Sequence, residues 1–301
     1  MLPSHVITRP VGPISGVGLF SGKPASIMIS PDPGEPWINF VSPLPYPHPF
    51  AGVELRRVTY DTSWAGMPKG VPIRNTTLNA SGPLARDEPV PEPPRFVVAT
   101  VEHILGALAG LGIWIATISI DGPEVPIFDG SAKLFVDILL GQLAPAPSLR
   151  KPLVLQSPIE VRDGDASIIA TPAADLSYTY NLDYGPNSPL KPHSATWRGS
   201  PADFTANIAP ARTFSLRAEA EGAQKMGLFK HLSPRDMLVI GDDGQPIDNA
   251  WRMEGEPARH KLLDLIGDLA LLGRPLIAKI VATKSGHRLT HEFCRAVLRA
   301  T

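Results

Sequence analysis

Cysteine is almost absent: among 301 residues only Cys294 carries a thiol. One thiol excludes an internal disulfide framework and a cysteine-built zinc cluster, and it fits a reducing, cytoplasmic compartment. An excess of either charge is also lacking. Lys and Arg number 28 against 29 Asp and Glu, a net charge of −1. That balance offers no broad basic surface to nucleic acid or to an anionic membrane. No stretch reaches the roughly 18 apolar residues of a spanning helix. The opening MLPSHVITRP has no apolar core of a signal peptide.

What is present is proline and a large apolar fraction. The 34 prolines are about twice the usual share. They gather in SPLPYPHPF (42–50) and PVPEPP (89–94), which read as loops. Hydrophobic residues make up 43%, enough over this length for one large domain or two ordinary ones.

The elements follow from periodicity. Alternation in ASIMIS (25–30) and the glycine-rich SGVGLFSGK (15–23) predict strands joined by a turn. ATVEHILGALAGLG (99–112) predicts a helix stopped by Gly112, IWIATISID (113–121) a strand, and SAKLFVDILLG (131–141) a helix with Ser131 as N-cap. LAPAPSLRKP (143–152) reads as a linker. Beyond it, 153–171 and 175–184 read as strands and the later part of 211–227 as helix. A buried helix is expected near 257–272, with Pro257 at its start and Gly273 at its stop. A strand at 276–283 and a closing helix at 289–301 complete the chain.

The two halves repeat this order. With Gly112 placed over Gly273, ALAGLGIWIATI lies over DLALLGRPLIAK, and His103 falls opposite Asp264. The expected fold class is therefore α+β. It comprises two duplicated, layered αβ-sandwich domains, each with an insert, and an active site at the domain interface. Residues 1–143 form the first domain, with a Pro-rich insert at about 42–98. Residues 150–301 form the second, with an insert at about 214–253.

One helix carries a chemical question. In RHKLLDLIGD (259–268), His260, Asp264 and Asp268 stand four apart and so share one helix face, while leucines fill most of the rest. A buried aspartate is costly without a positive or hydrogen-bonding partner. His103 on the first buried helix, with His260 and Asp264, makes a three-ligand set of the kind zinc takes at a catalytic site. Glu102, beside His103, is a candidate base. H-x-x-x-D alone is a weak motif, and a residue such as Asp268 is more often capping or salt-bridging than catalytic. GVGLFSGK matches no phosphate loop, and KSGH (284–287) reads as a turn. His5, His48 and His193 read as surface residues.

Five ordered motifs carry a resemblance: TVEHILGALAGLGI, DGPEVPIFDGSA, ARTF, RHKLLDLIGDLALLG and KSGH. Together they resemble the UDP-3-O-acyl-N-acetylglucosamine deacetylases, zinc amidohydrolases of lipid A biosynthesis, over nearly the whole chain. The resemblance implies a Zn²⁺ site of His103, His260 and Asp264, with Glu102 activating water and His287 as general acid or cationic stabiliser. It implies that Asp268 orients His287 and that Thr213 stabilises the oxyanion. Lys261 and Lys284 would meet the charged nucleotide, and Phe214 would border the acyl chain. The implied partner is a small-molecule nucleotide-sugar lipid, acted on by a cytoplasmic monomer with no nucleic-acid partner and no transmembrane segment.

Three departures stand out. Phe20 replaces the histidine usual after GVGL, His231 and Leu232 occupy the place of a usual Gly-Gly pair, and 83–94 looks like an added loop. The alternatives are a deacylase of another N-acyl sugar and a non-catalytic nucleotide-sugar binding protein.

Overall fold

Alternating burial along short strands builds two five-stranded sheets. The computed structural model describes residues 3–32, 37–42, 50–53, 57–59, 75–80, 96–146 and 151–301. The first sheet runs Val11–Val17, Pro24–Ser30, Ala116–Asp121, Ile38–Val41, Phe50–Gly52. The second runs Ile159–Asp163, Ala166–Thr171, Lys279–Thr283, Ser177–Leu182, His193–Trp197. In both, the third strand is antiparallel to the second and parallel to the fourth. Every second side chain turns inward, as a pleated strand requires: Ala25, Ile27 and Ile29 in one sheet, Tyr178, Tyr180 and Leu182 in the other. The chain is thus mixed α and β, as expected.

The longer helices among the described residues are α1 (Glu102–Gly110), α2 (Lys133–Leu140), α3 (Arg217–Lys225), which packs on the small strand pair Phe214–Leu216 and Leu238–Ile240, α4 (Glu256–Leu269) and α5 (His287–Ala300). Every residue of α1 is buried, as is every residue of α4 except Arg259 and Lys261. Helices buried on nearly all sides belong to an interior, and α1 and α4 pack directly on one another. Glycine lets them approach. A β-carbon added at Gly267 would lie 2.0 Å from the Glu102 carbonyl oxygen, and one at Gly106 would lie 2.6 Å from Leu263 Cδ1. At Gly267 the obstacle is backbone, which cannot rotate aside, so a side chain there would push the helices apart. Gly112 and Gly273, just beyond the two helices, both take left-handed backbone angles (φ 75° and 70°), as expected of glycine stops.

Some elements differ from expectation. Ser131 is not the N-cap of α2. That residue is Ala132, and the Ser131 hydroxyl instead accepts from the Lys133 amide at 3.2 Å. The linker begins as a strand, because Leu143–Pro145 pairs with His5–Ile7. His5 is not a free surface residue: its Nδ1 lies 2.6 Å from the Leu111 carbonyl, tying the first strand to the end of α1. The closing helix α5 starts two residues early, which puts His287 in its first turn. His48, the loop 83–94 and most of the 42–98 insert lie outside the described residues. Among the described residues no helix is long and apolar enough to cross a membrane.

Candidate metal centre

Helix α1 delivers His103 and α4 delivers His260 and Asp264 to one buried point. One ligand atom from each lies within 4.8 Å of the others. Asp264 Oδ1 stands 3.5 Å from His103 Nε2 and 3.4 Å from His260 Nε2. The three residues are only 4%, 3% and 5% exposed.

The donor set fits a cation. His260 Nδ1 lies 3.1 Å from the Ala211 carbonyl. A carbonyl only accepts, so Nδ1 carries the proton. Burial, which outweighs the pull of Asp264, pushes this imidazole down to about 3. It is therefore neutral, and its Nε2 lone pair faces a carboxylate oxygen. Asp264 Oδ1 is buried and has no hydrogen-bond partner among the described residues. Two acceptors turned toward each other in a dry site repel; a divalent ion between them removes the conflict. The other oxygen, Oδ2, is held by Lys261 Nζ at 2.6 Å. Burial opposes ionisation of Asp264, but the charges and donors around it, the Lys261 ammonium at 2.6 Å among them, hold its carboxyl well below the usual range.

A buried ion pair holds the ARTF segment in place. Arg212 Nε donates to Glu256 Oε1 at 2.8 Å, and the Arg212 backbone amide donates to the same oxygen at 3.1 Å. Further donations from Arg212 reach Asn249 Oδ1 and the Ala250 carbonyl. Glu256, fully buried, begins α4. The pair thereby fixes Ala211, whose carbonyl orients His260, and Phe214, whose ring meets the His260 ring edge-on at 6.4 Å. Between them, the Thr213 amide donates to the Gly130 carbonyl at 2.7 Å.

His287, Asp268 and Glu102 form a second cluster of titratable groups beside it. His287 Nδ1 donates to Asp268 Oδ2 at 2.8 Å, and His287 Nε2 lies 3.8 Å from Asp264 Oδ2. Burial favours neutral His287. Asp268 overrides it, with smaller pulls from Glu102 and Asp264, and the imidazole stands at about 9. Burial likewise raises Asp268, but His287 and His291 pull it far below the ordinary carboxylate range. Glu102 behaves oppositely: burial dominates over His287 and His103 and lifts its carboxyl to about 7. Two neighbouring groups whose values are driven apart in this way could exchange protons near neutrality.

Two cavities flank the cluster. One, of about 390 Å³, is mainly apolar and is lined by Leu19, Thr213, Phe214, Phe229, Leu232 and Met237 among others. The other, of about 620 Å³, carries several charged side chains in its walls. Its walls include Tyr180, Asp183, Lys261, Lys284 and His287. Lys284 Nζ is held by Asp165 at 2.7 Å and Asp183 at 3.3 Å. The apolar cavity touches the centre through Phe214 and the other through Lys261 and His287.

The departures have visible consequences. Phe20 packs on Phe229, ring centroids 5.3 Å apart. Its amide and that of Ser21 donate to the buried Glu124, which also receives the Thr100 hydroxyl. Leu232 borders the apolar cavity, but His231 does not: it is exposed and its Nε2 lies 3.1 Å from the Gly18 carbonyl. Sequence reasoning missed Thr76, His291, Arg212, Glu256 and Glu124. His291 stands four residues after His287 on one helix, a signal of the same kind as His260 and Asp264.

The family described as UDP-3-O-acyl N-acetylglycosamine deacetylase matches residues 5–299. A protein of Anaeromyxobacter dehalogenans named UDP-3-O-acyl-N-acetylglucosamine deacetylase is 34% identical, over 94% of this chain and 84% of its own length. One of the same name from Anaeromyxobacter sp. (strain Fw109-5) is 36% identical over 94% and 85%. Another, from Myxococcus xanthus, is 33% identical over 99% and 88%. A match that spans both sheets and every residue of the buried His–His–Asp centre shows that this chain belongs to the UDP-3-O-acyl N-acetylglycosamine deacetylase family.

Proposed function

We propose that this chain hydrolyses the N-acetyl group of UDP-3-O-acyl-N-acetylglucosamine, releasing acetate in lipid A biosynthesis, as a cytoplasmic monomer. The observation that carries the reading is Asp264 Oδ1, buried and unsatisfied, facing two imidazoles between an apolar cavity and a cleft with charged walls. The ion we assign to His103, His260 and Asp264 is Zn²⁺; an N₂O donor set also takes iron(II). When bound, it supplies Lewis-acid polarisation of the amide and of the attacking water. Glu102 removes the proton from that water. His287, held by Asp268, gives a proton to the leaving amine. Thr213 donates to the developing oxyanion. Lys261 and Lys284 on that cleft meet the diphosphate, each exchanging part of its carboxylate pairing for phosphate. Acetate release from a panel of UDP-3-O-acyl-N-acetylglucosamines by metal-reconstituted protein tests the reading. No release from any of them would sink it.

We also infer that residues 1–143 and 150–301 are duplicated domains with the site at their interface. The shared strand order, the paired left-handed glycines and the α1–α4 contact support that division.

The pH profile of kcat/KM is expected to be bell-shaped. Glu102 must be ionised and His287 protonated, so activity rises through the Glu102 limb and falls through the His287 limb. Without an ion these groups stand at about 7 and about 9. A bound dication favours ionised Glu102 and neutral His287, so both limbs lie at or below those values, as properties of the coupled set. His287→Ala should lower kcat and flatten the high-pH fall. If the fall is unchanged, another group donates the proton.

The insert at about 214–253 is assigned as the acyl passage. Phe214, Phe229, Met237 and Val239 line the apolar cavity, while Leu228 is not among its walls. Each buried methylene is worth about 0.8 kcal/mol, so chain length should discriminate strongly. Turnover should require the acyl chain, and Leu232→Gly should change the preferred length. Equal kcat/KM for acylated and unacylated substrate would refute the passage. An unaltered length profile in Leu232→Gly would remove only that residue.

A further inference from the structure

Thr76 lies just before the strand Thr77–Ala80, far in sequence from α1, α4 and α5, yet it reaches all three. Its backbone amide donates to Glu102 Oε2 at 3.0 Å. Its hydroxyl donates to Asp268 Oδ1 in a short hydrogen bond. Thr76 Oγ1 itself lies 3.0 Å from His291 Nε2. A hydroxyl has one proton, and the carboxylate, having none, must receive it. Thr76 Oγ1 therefore accepts from His291, which carries its proton on Nε2. Asp268 then holds both oxygens occupied, Oδ1 by Thr76 and Oδ2 by His287 Nδ1. The Val101 amide donates to the Thr76 carbonyl at 3.2 Å, locking the residue beside the start of α1. Thr76 and His291 are both 0% exposed, so water offers no substitute partner.

We propose that Thr76, steadied by His291, is a positioning residue that holds both proton-transfer arms in register: Glu102 through its amide, and Asp268 with His287 through its hydroxyl. The inference rests on the deacetylase reading and deepens it. One residue spans the base side and the acid side of the site, so their separation does not depend on the α1–α4 packing alone.

The test is acetate release from UDP-3-O-acyl-N-acetylglucosamine by the metal-loaded full chain, with kcat, KM and bound metal measured. Thr76→Val keeps the amide and the shape but removes the hydroxyl. It is expected to lower kcat about 10- to 100-fold, the usual effect of losing a group that orients a site from behind. KM and metal content should stay unchanged, and Thr76→Ser should restore most of the rate. The low-field imidazole N–H resonances of His287 and His291 should move in Thr76→Val and return in Thr76→Ser. A Thr76→Val rate within twofold of wild type would overturn the proposal, as would a Ser variant no better than the Val variant. If Thr76→Val does not fold, His291→Gln and His291→Phe pose the question from the far end. Gln retains a donor and should keep turnover where Phe loses it; equal rates overturn the role. An inactive wild type would instead bring down the deacetylase reading itself.

Discussion

Glu102→Gln is expected to keep its bound metal and to lose turnover by roughly 10²–10⁴-fold, the usual effect of losing a general base. That is about 3–5 kcal/mol of barrier. The carboxyl is only 3% exposed, and burial lifts it to about 7, so near neutrality it is divided between the form that takes a proton and the form that gives one. Gln has the same shape, and its carbonyl can still accept from the Thr76 amide. It cannot take a proton. Glu102 is not among the three residues whose ligand atoms converge, so metal content should be untouched. The new amide N–H₂ will lack one ready acceptor in a dry pocket, which costs about 1–3 kcal/mol of stability. The rate must therefore be measured well below the variant's Tm. A near-native rate would remove Glu102 from the mechanism.

The parts of this site visible in the sequence are those set by short periods. His260, Asp264 and Asp268 declare themselves because four residues make one helical step. Gly112 and Gly273 declare the helix stops because glycine alone takes that backbone at little cost. The placing of His103 opposite Asp264 needed only those two glycines as anchors. Helix α5, by contrast, starts at His287, two residues before the expected 289, because Gly286 caps it without any side-chain signal.

What the sequence hid is long-range. The Thr76–Asp268 bond joins residues 192 positions apart, and the Arg212–Glu256 pair joins residues 44 apart. No local pattern marks such partners. Sheet order was hidden for the same reason: the strand Ala116–Asp121 enters between strands laid down far earlier in the chain. Two partners do carry a signal. A buried arginine such as Arg212 of ARTF needs a carboxylate, and Glu256 at the start of α4 is the acid in reach. His291 follows His287 by one helical step, the same spacing that relates His260 to Asp264.

Replacing His103, His260 or Asp264 by Ala is expected to abolish stoichiometric metal binding, and activity with it. The effect should exceed the roughly 10- to 100-fold seen when a group supporting a ligand is lost. Stability separates a metal site from a merely structural cluster. In the metal-free protein Asp264 Oδ1 faces two imidazole nitrogens without a hydrogen bond, so the cluster is under electrostatic conflict. Adding Zn²⁺ should therefore raise the Tm of the wild type. An ion at a hundred times its Kd contributes about 2.7 kcal/mol. The same addition should leave the Tm of each Ala variant unmoved. Asp264→Ala carries an extra cost, since Lys261 loses the carboxylate held at 2.6 Å and is left charged and mostly buried. His103→Ala carries no such cost, so its metal-free stability should be the least affected of the three. If all three variants bind metal as the wild type does, the ligand assignment is wrong. If Zn²⁺ leaves the wild-type Tm unchanged while the Ala variants are destabilised, the trio holds the α1–α4 contact together and the metal binds elsewhere.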